Sequence, residues 1–136
     1  MSNNVKVFVY GSLKKGEINH TCMKRAGGRF LSRAVLKRPD LTFVDFGHYP
    51  GVVAHPDDKG GQSPEIKGEV WEVNQGGLAI LDVLEGHPSY YCRQKLDVTG
   101  IYAGASYRAW VYVLPHGEGY EKAPLVEGGE WTARAA

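Results

Sequence analysis

Glu85 is the residue whose type and place most directly offer chemistry. Leu78, Ile80, Leu81 and Leu84 recur at helical spacing within residues 75–85, and Gly86 followed by Pro88 supplies a stop. At about 100° per residue, Glu85 falls about 20° from Leu78 and about 40° from Leu81, inside the apolar arc. A carboxyl placed there is desolvated, which disfavours its charged form and raises its pKa. The negative end of the helix dipole, just before Gly86, pushes the same way. A carboxyl tuned towards neutrality suits general acid–base catalysis. The competing reading is a frayed helix end whose side chain simply reaches water. Asp82, at the margin of the arc, reads as a solvated or Arg-paired residue.

A second candidate is the turn Tyr10-Gly11-Ser12-Leu13-Lys14-Lys15-Gly16. Gly11 and Gly16 have the glycine spacing of a phosphate-binding P-loop, but that motif continues with Lys and Ser or Thr. Here Glu17-Ile18 follow, so the match fails. A glycine at a strand exit also lets successive N–H groups converge into a small nest for a carboxylate or oxyanion. Alternatively, Gly11 serves only the backbone angles of a tight turn.

Other ligand sets do not assemble. His20, His48, His55, His87 and His116 are scattered without zinc-type spacing. Cys22 and Cys92 sit in no nucleophile-activating pattern and read as buried structural thiols. Two cysteines build neither a disulfide framework nor a four-cysteine metal site, and they fit a reducing cytoplasm. Trp71, Trp110 and the eight tyrosines are expected to fill the core and line a cavity.

These candidates need elements to hold them. Val5 to Tyr10 is β-branched and aromatic and reads as a buried strand ending at Gly11. Further strands are expected over 29–37, 41–46, 51–55, 66–73, 91–98 and 106–114, with Gly68 marking a bulge. A weak helical pattern covers Glu17 to Arg25, and 75–85 is the clear helix. Asp57 to Pro64 reads as an exposed loop. The residues after 114 carry no assignment. The pattern predicts an α+β domain, a mixed or antiparallel sheet curled towards a barrel with one or two short helices.

Composition narrows the function. A chain of 136 residues is sized for a single domain, residues 1–136, that needs no disulfide or structural metal. Sixteen Lys and Arg against fifteen Asp and Glu leave a net charge of +1, too balanced for electrostatic nucleic-acid binding. No apolar run approaches the roughly 18 residues of a membrane span, and the N-terminus lacks the features of a secretion signal. Nucleic acid and membrane are therefore not expected partners, and oligomeric state stays open.

Two segments together resemble a known family. Val7 to Gly16 followed by Asn19-His20, and Leu81-Asp82-Val83-Leu84-Glu85-Gly86-His87-Pro88-Ser89-Tyr90-Tyr91-Cys92-Arg93, are similar to the signatures of the γ-glutamylcyclotransferase-like family. That family includes the AIG2-like proteins and γ-glutamylamine cyclotransferases. Tyr49-Pro50-Gly51-Val52, Ile66 to Trp71 and Ala109-Trp110-Val111-Tyr112 fall in the same order, so the resemblance spans 5 to about 114. It implies a small barrel-like α+β fold with a central cavity. It also implies cofactor-free cyclisation of a small γ-glutamyl substrate, releasing 5-oxoproline and an amine, and the absent ligand spacings separately predict turnover without a metal. Glu85 matches the family's catalytic glutamate, Tyr10, Gly11, Ser12 and Leu13 its substrate-binding turn, and Tyr112 a cavity-wall contact. The alternative is a non-catalytic small-ligand-binding or regulatory module on the same fold. A nucleotide hydrolase is disfavoured by the failed P-loop match.

Overall fold

Alternation along the first strand sets the architecture. In β1 (Val5–Val9), Phe8 and the following Tyr10 join one apolar cluster, while Val7 and Val9 join another. A strand apolar on both faces must be covered on both. The computed structural model, which describes residues 4–56, 60–63, 65–102 and 104–133, shows how.

Five strands close on themselves. β1 pairs antiparallel with β5 (Ile66–Val73), β5 with β2 (Arg29–Leu36), β2 with β6 (Cys92–Gly100), and β6 with β7 (Ser106–Pro115). A parallel contact between Val7 of β1 and Trp110 of β7 completes the ring. Phe8, Leu36, Val70, Val98 and Val111 fill its interior. A hairpin of β3 (Leu41–Asp45) and β4 (Pro50–Ala54) is added where β4 runs parallel to β7 at Val53 and Leu114. One edge of β7 thus serves β1 near its middle and β4 at its end.

The outer cluster, including Val9, Trp71, Val73 and Leu114, is covered by α1 (His20–Arg25) and α2 (Gln75–Glu85) through Met23, Leu78 and Leu81. The Asn74 side-chain oxygen accepts from Gly77 N–H at 2.8 Å to cap α2, and Gly86, in the left-handed conformation, ends it. The expected barrel-like α+β fold is therefore present. α1 is shorter than the sequence pattern suggests, since turns occupy Glu17 to Asn19.

Four details depart from the sequence reading. The bulge lies in β2, between Phe30 and Ser32, and not at Gly68. Gly68 is needed because a Cβ there would collide with the Val9 carbonyl and the Phe8 ring. Within the expected loop 57–64, residues 57–59 and 64 lie outside the described residues. Residues 60–63 run along β3, where Ser63 Oγ accepts from Phe43 N–H at 2.6 Å and Gly61 N–H donates to the Pro39 carbonyl at 2.8 Å. That backbone satisfies the free edge of β3 instead of standing in solvent. Cys92 is exposed and Cys22 half-buried, so neither is the buried thiol expected; Cys92 opens β6 on its outward side.

The unassigned tail has a defined role. After two short 3₁₀ turns at Tyr120–Lys122 and Glu127–Gly129, Trp131 enters the inner core and is 2% exposed. Its indole N–H donates to Asp45 at 3.1 Å, and its carbonyl accepts from Lys14 Nζ at 2.6 Å. Trp131→Ala is expected to cost about 3–5 kcal/mol, the usual range for a buried tryptophan. Urea unfolding reads this directly, and a loss below about 1 kcal/mol would mean the tail is not part of the cooperative core.

Candidate active site

Where β1 leaves the edge of β7 and β4 takes it up, the two strands diverge and a cavity of about 380 Å³ opens. Tyr10, Gly11, Ser12 and Leu13 form one wall, continued by Ile18 and Asn19. Tyr49 and Pro50, at the start of β4, form the next, and Tyr112 of β7 lies at the back. Leu84 and Glu85, the last two residues of α2, close it together with Tyr90 and Tyr91. All six residues singled out from the sequence, Tyr10, Gly11, Ser12, Leu13, Glu85 and Tyr112, line this one space.

Local bonds shape the walls. Gly11 O accepts from Lys14 N–H at 3.1 Å, and Ser12 O accepts from Asn19 N–H at 2.9 Å. Asn19 Nδ2 donates to Ser12 Oγ at 2.9 Å, doubling the brace across the turn. Among the described residues, the N–H groups of Ser12 and Leu13 donate to no backbone carbonyl. A Cβ at Gly11 would lie 2.7 Å from the Pro50 ring, so this glycine is required by close approach. The Tyr10 hydroxyl donates to Tyr112 O at 2.6 Å, and the Tyr91 hydroxyl donates to Pro50 O at 2.6 Å. Both phenols therefore fasten β1 and β4 to their neighbours across the gap.

Glu85 is the only carboxyl among the described lining residues. Burial pushes its pKa up to about 7. Burial likewise raises the phenols of Tyr10, Tyr90, Tyr91 and Tyr112, and the nearby charge of Glu85 adds to each. They stay neutral hydroxyls around one titrating group.

Asp82, one turn earlier, is treated in the opposite way. Burial alone would raise its pKa, but hydrogen bonds from Arg93 and Tyr112 outweigh it and hold the carboxyl low. Arg93 binds Asp82 through two nitrogens, at 2.9 and 3.2 Å, and Tyr112 Oη donates to it at 2.7 Å. The guanidinium also lies 4.2 Å from the centre of the Trp110 ring. The Arg-paired reading of Asp82 is correct, and the Tyr112 bond to it is an addition. Sequence reasoning also put Leu84 in the buried arc, whereas it is 38% exposed at the cavity rim. His48 and Ile18 were missed as lining residues; neither lies on a periodic element that would have flagged it.

The raised pKa of Glu85 has a stability consequence. Its native value, about 7, lies above the usual 4.5, so the folded state holds the extra proton between these pH values. Stability therefore falls as pH rises through that window, and the penalty is complete above pH 7. Glu85→Gln removes the penalty, on the order of 3–4 kcal/mol at about 1.4 kcal/mol per pH unit. Denaturant midpoints should show the variant more stable at about pH 8 and equal to the parent near pH 4. A variant no more stable at the higher pH would show that the carboxyl is not desolvated.

Comparison with known proteins matches this geometry to a family. A family model described as gamma-glutamyl cyclotransferase, AIG2-like, matches residues 7–133, including the tail left unassigned from the sequence. A Methanocaldococcus jannaschii protein provisionally named a gamma-glutamylcyclotransferase is 35% identical over 125 residues, covering 92% of this chain and 93% of that protein. Gamma-glutamylaminecyclotransferase C of Danio rerio is 32% identical over 96 residues, 68% of this chain and 60% of that protein. The crystal structure of an AIG2-like protein from Mus musculus aligns with a TM-score of 0.75 at 26% identity, covering 98% of this chain and 99% of that one. The chain belongs to the gamma-glutamyl cyclotransferase, AIG2-like family.

Proposed function

We propose that the protein cyclises a γ-glutamyl compound to 5-oxoproline and a free amine, with Glu85 as general base and then general acid. The observation that carries this reading is a carboxyl with a pKa of about 7 in a cavity of about 380 Å³. That volume lies within the usual range for small-molecule sites, about 300–1,000 Å³.

The chemistry asks little else of the protein. The nucleophile is the substrate's own α-amine, so no serine, cysteine or cofactor is required. Glu85, ionised, takes a proton from the α-ammonium group. The amine nitrogen attacks the γ-carbonyl carbon, and as the amide C–N bond breaks Glu85 returns the proton to the departing nitrogen. The ring nitrogen then gives up its second proton through Glu85, and the released amine takes it up as an ammonium group. Atoms and charges balance without a co-reactant. Because the ring closes within one molecule, holding the folded-back conformer accounts for much of the rate. The unengaged N–H groups of Ser12 and Leu13 are suited to the α-carboxylate or the developing oxyanion. The phenols of Tyr90, Tyr91 and Tyr112, kept neutral by burial and by Glu85, keep the wall uncharged.

A panel of γ-glutamyl amides, assayed for 5-oxoproline, tests this. At least one member should turn over, and kcat/KM should fall below an apparent pKa of about 7, as the base of the free enzyme becomes protonated. A limb near that of an ordinary glutamate would remove Glu85 from the role. No product from any member would leave the ligand-binding module as the better reading.

A further inference from the structure

Among the described residues, the exposed lining of the cavity includes large apolar side chains and no Lys or Arg. Ile18 is 79% exposed, and Leu84 and Tyr49 are each 38% exposed, yet all three line the opening. Large apolar side chains gathered at the rim of a site mark a contact for something apolar. They also flank the point that matters for the released amine. The departing nitrogen must meet Glu85 to receive its proton, and Leu84 is the next residue on the helix. A substituent on that nitrogen that leaves by the exposed part of the lining meets Leu84, Ile18 and Tyr49.

Charge points the same way. Among the described residues, the lining contains no Lys or Arg. The cations nearest in sequence are turned elsewhere. Lys14 Nζ donates to the Trp131 carbonyl at 2.6 Å, and Lys15 Nζ sits 3.9 Å from the centre of the Phe30 ring. Arg93 is committed to Asp82 and Trp110. The glutamyl α-carboxylate brings its own ammonium group and has the turn's N–H groups. A second carboxylate, on the leaving amine, would have neither and would lie near Glu85.

We propose, resting on the cyclisation reading above, that the preferred substrates are γ-glutamyl conjugates of uncharged apolar amines, selected by Ile18 and Leu84. Amino acids joined through their α-nitrogen are disfavoured by their carboxylate, and lysine joined through its ε-nitrogen by its charged far end.

The test compares kcat/KM for three compounds: γ-glutamylbenzylamine, γ-glutamylalanine and Nε-(γ-glutamyl)lysine. It is run at about pH 8.5, above the range in which free imidazole groups ordinarily titrate. The benzylamine compound should lead each of the others by about tenfold or more, the low end of what an apolar pocket discriminates. Leu84→Lys supplies a cation at the rim and should shift the ratio towards γ-glutamylalanine by about tenfold. Ile18→Lys, at a still more exposed position, repeats the test should the first variant fold poorly. Equal or better turnover of the carboxylate-bearing compounds by the parent protein would overturn the inference while leaving cyclisation intact. Unchanged ratios in both folded variants would also overturn it. Absence of 5-oxoproline from all three would instead overturn cyclisation, and this inference with it.

Discussion

A carboxyl set at the end of a helix among Tyr10, Tyr91 and Tyr112, with no lysine or arginine among the described residues that line its cavity, costs the fold stability whenever it ionises. Desolvation is the whole cause of the Glu85 shift, and the surrounding structure maintains it. Leu78 and Leu81 fasten the apolar face of α2 to the barrel wall, and the Gly86 cap ends the helix there. The chain then turns back, with Tyr90 N–H donating to Gly86 O at 2.8 Å, and this return brings Tyr90 and Tyr91 near the carboxyl. Helix, cap and return together hold a single carboxyl, partly buried, against the cavity.

Asp82 shows what the same helix does with an acid that is to stay ionised. Three residues from Glu85, it accepts from Arg93 and Tyr112 and is held below its ordinary pKa. Two carboxyls on one helix end are thus pushed in opposite directions, one by partners and one by their absence. The paired acid anchors α2 to β6 and β7, and the other is the group for which we propose proton transfer. Arg93 is kept from neutralising the cavity by the same bond that anchors the helix.

Much of this was legible in the sequence because it is periodic or local. The 3.6-residue repeat located α2 and put Glu85 on its buried side, and alternation in Val5 to Tyr10 announced a strand covered on both faces. Gly11 was ambiguous between a nest and a tight turn. Its requirement comes from Pro50, almost forty positions away, and no local pattern encodes that approach. Trp131 was unreadable for a related reason. It follows irregular turns, and its burial depends on Lys14 and Asp45 from distant parts of the chain. Leu84 looked like core because hydrophobicity was read without the cavity beside it. Its exposure reflects an opening that only the assembled β1, β4 and α2 create.

The central claim, that Glu85 carries the proton from the α-amine to the departing nitrogen, is tested most directly by single-turnover formation of 5-oxoproline in Glu85→Gln. The assay uses whichever γ-glutamyl amide the parent protein cyclises, with substrate affinity measured in parallel. The amide keeps the side chain's size and polarity but carries no transferable proton. The account predicts a rate loss of about 10²–10⁴-fold, the usual contribution of a general acid–base group, with affinity changed far less. Near-parental formation of 5-oxoproline in a folded variant would contradict it.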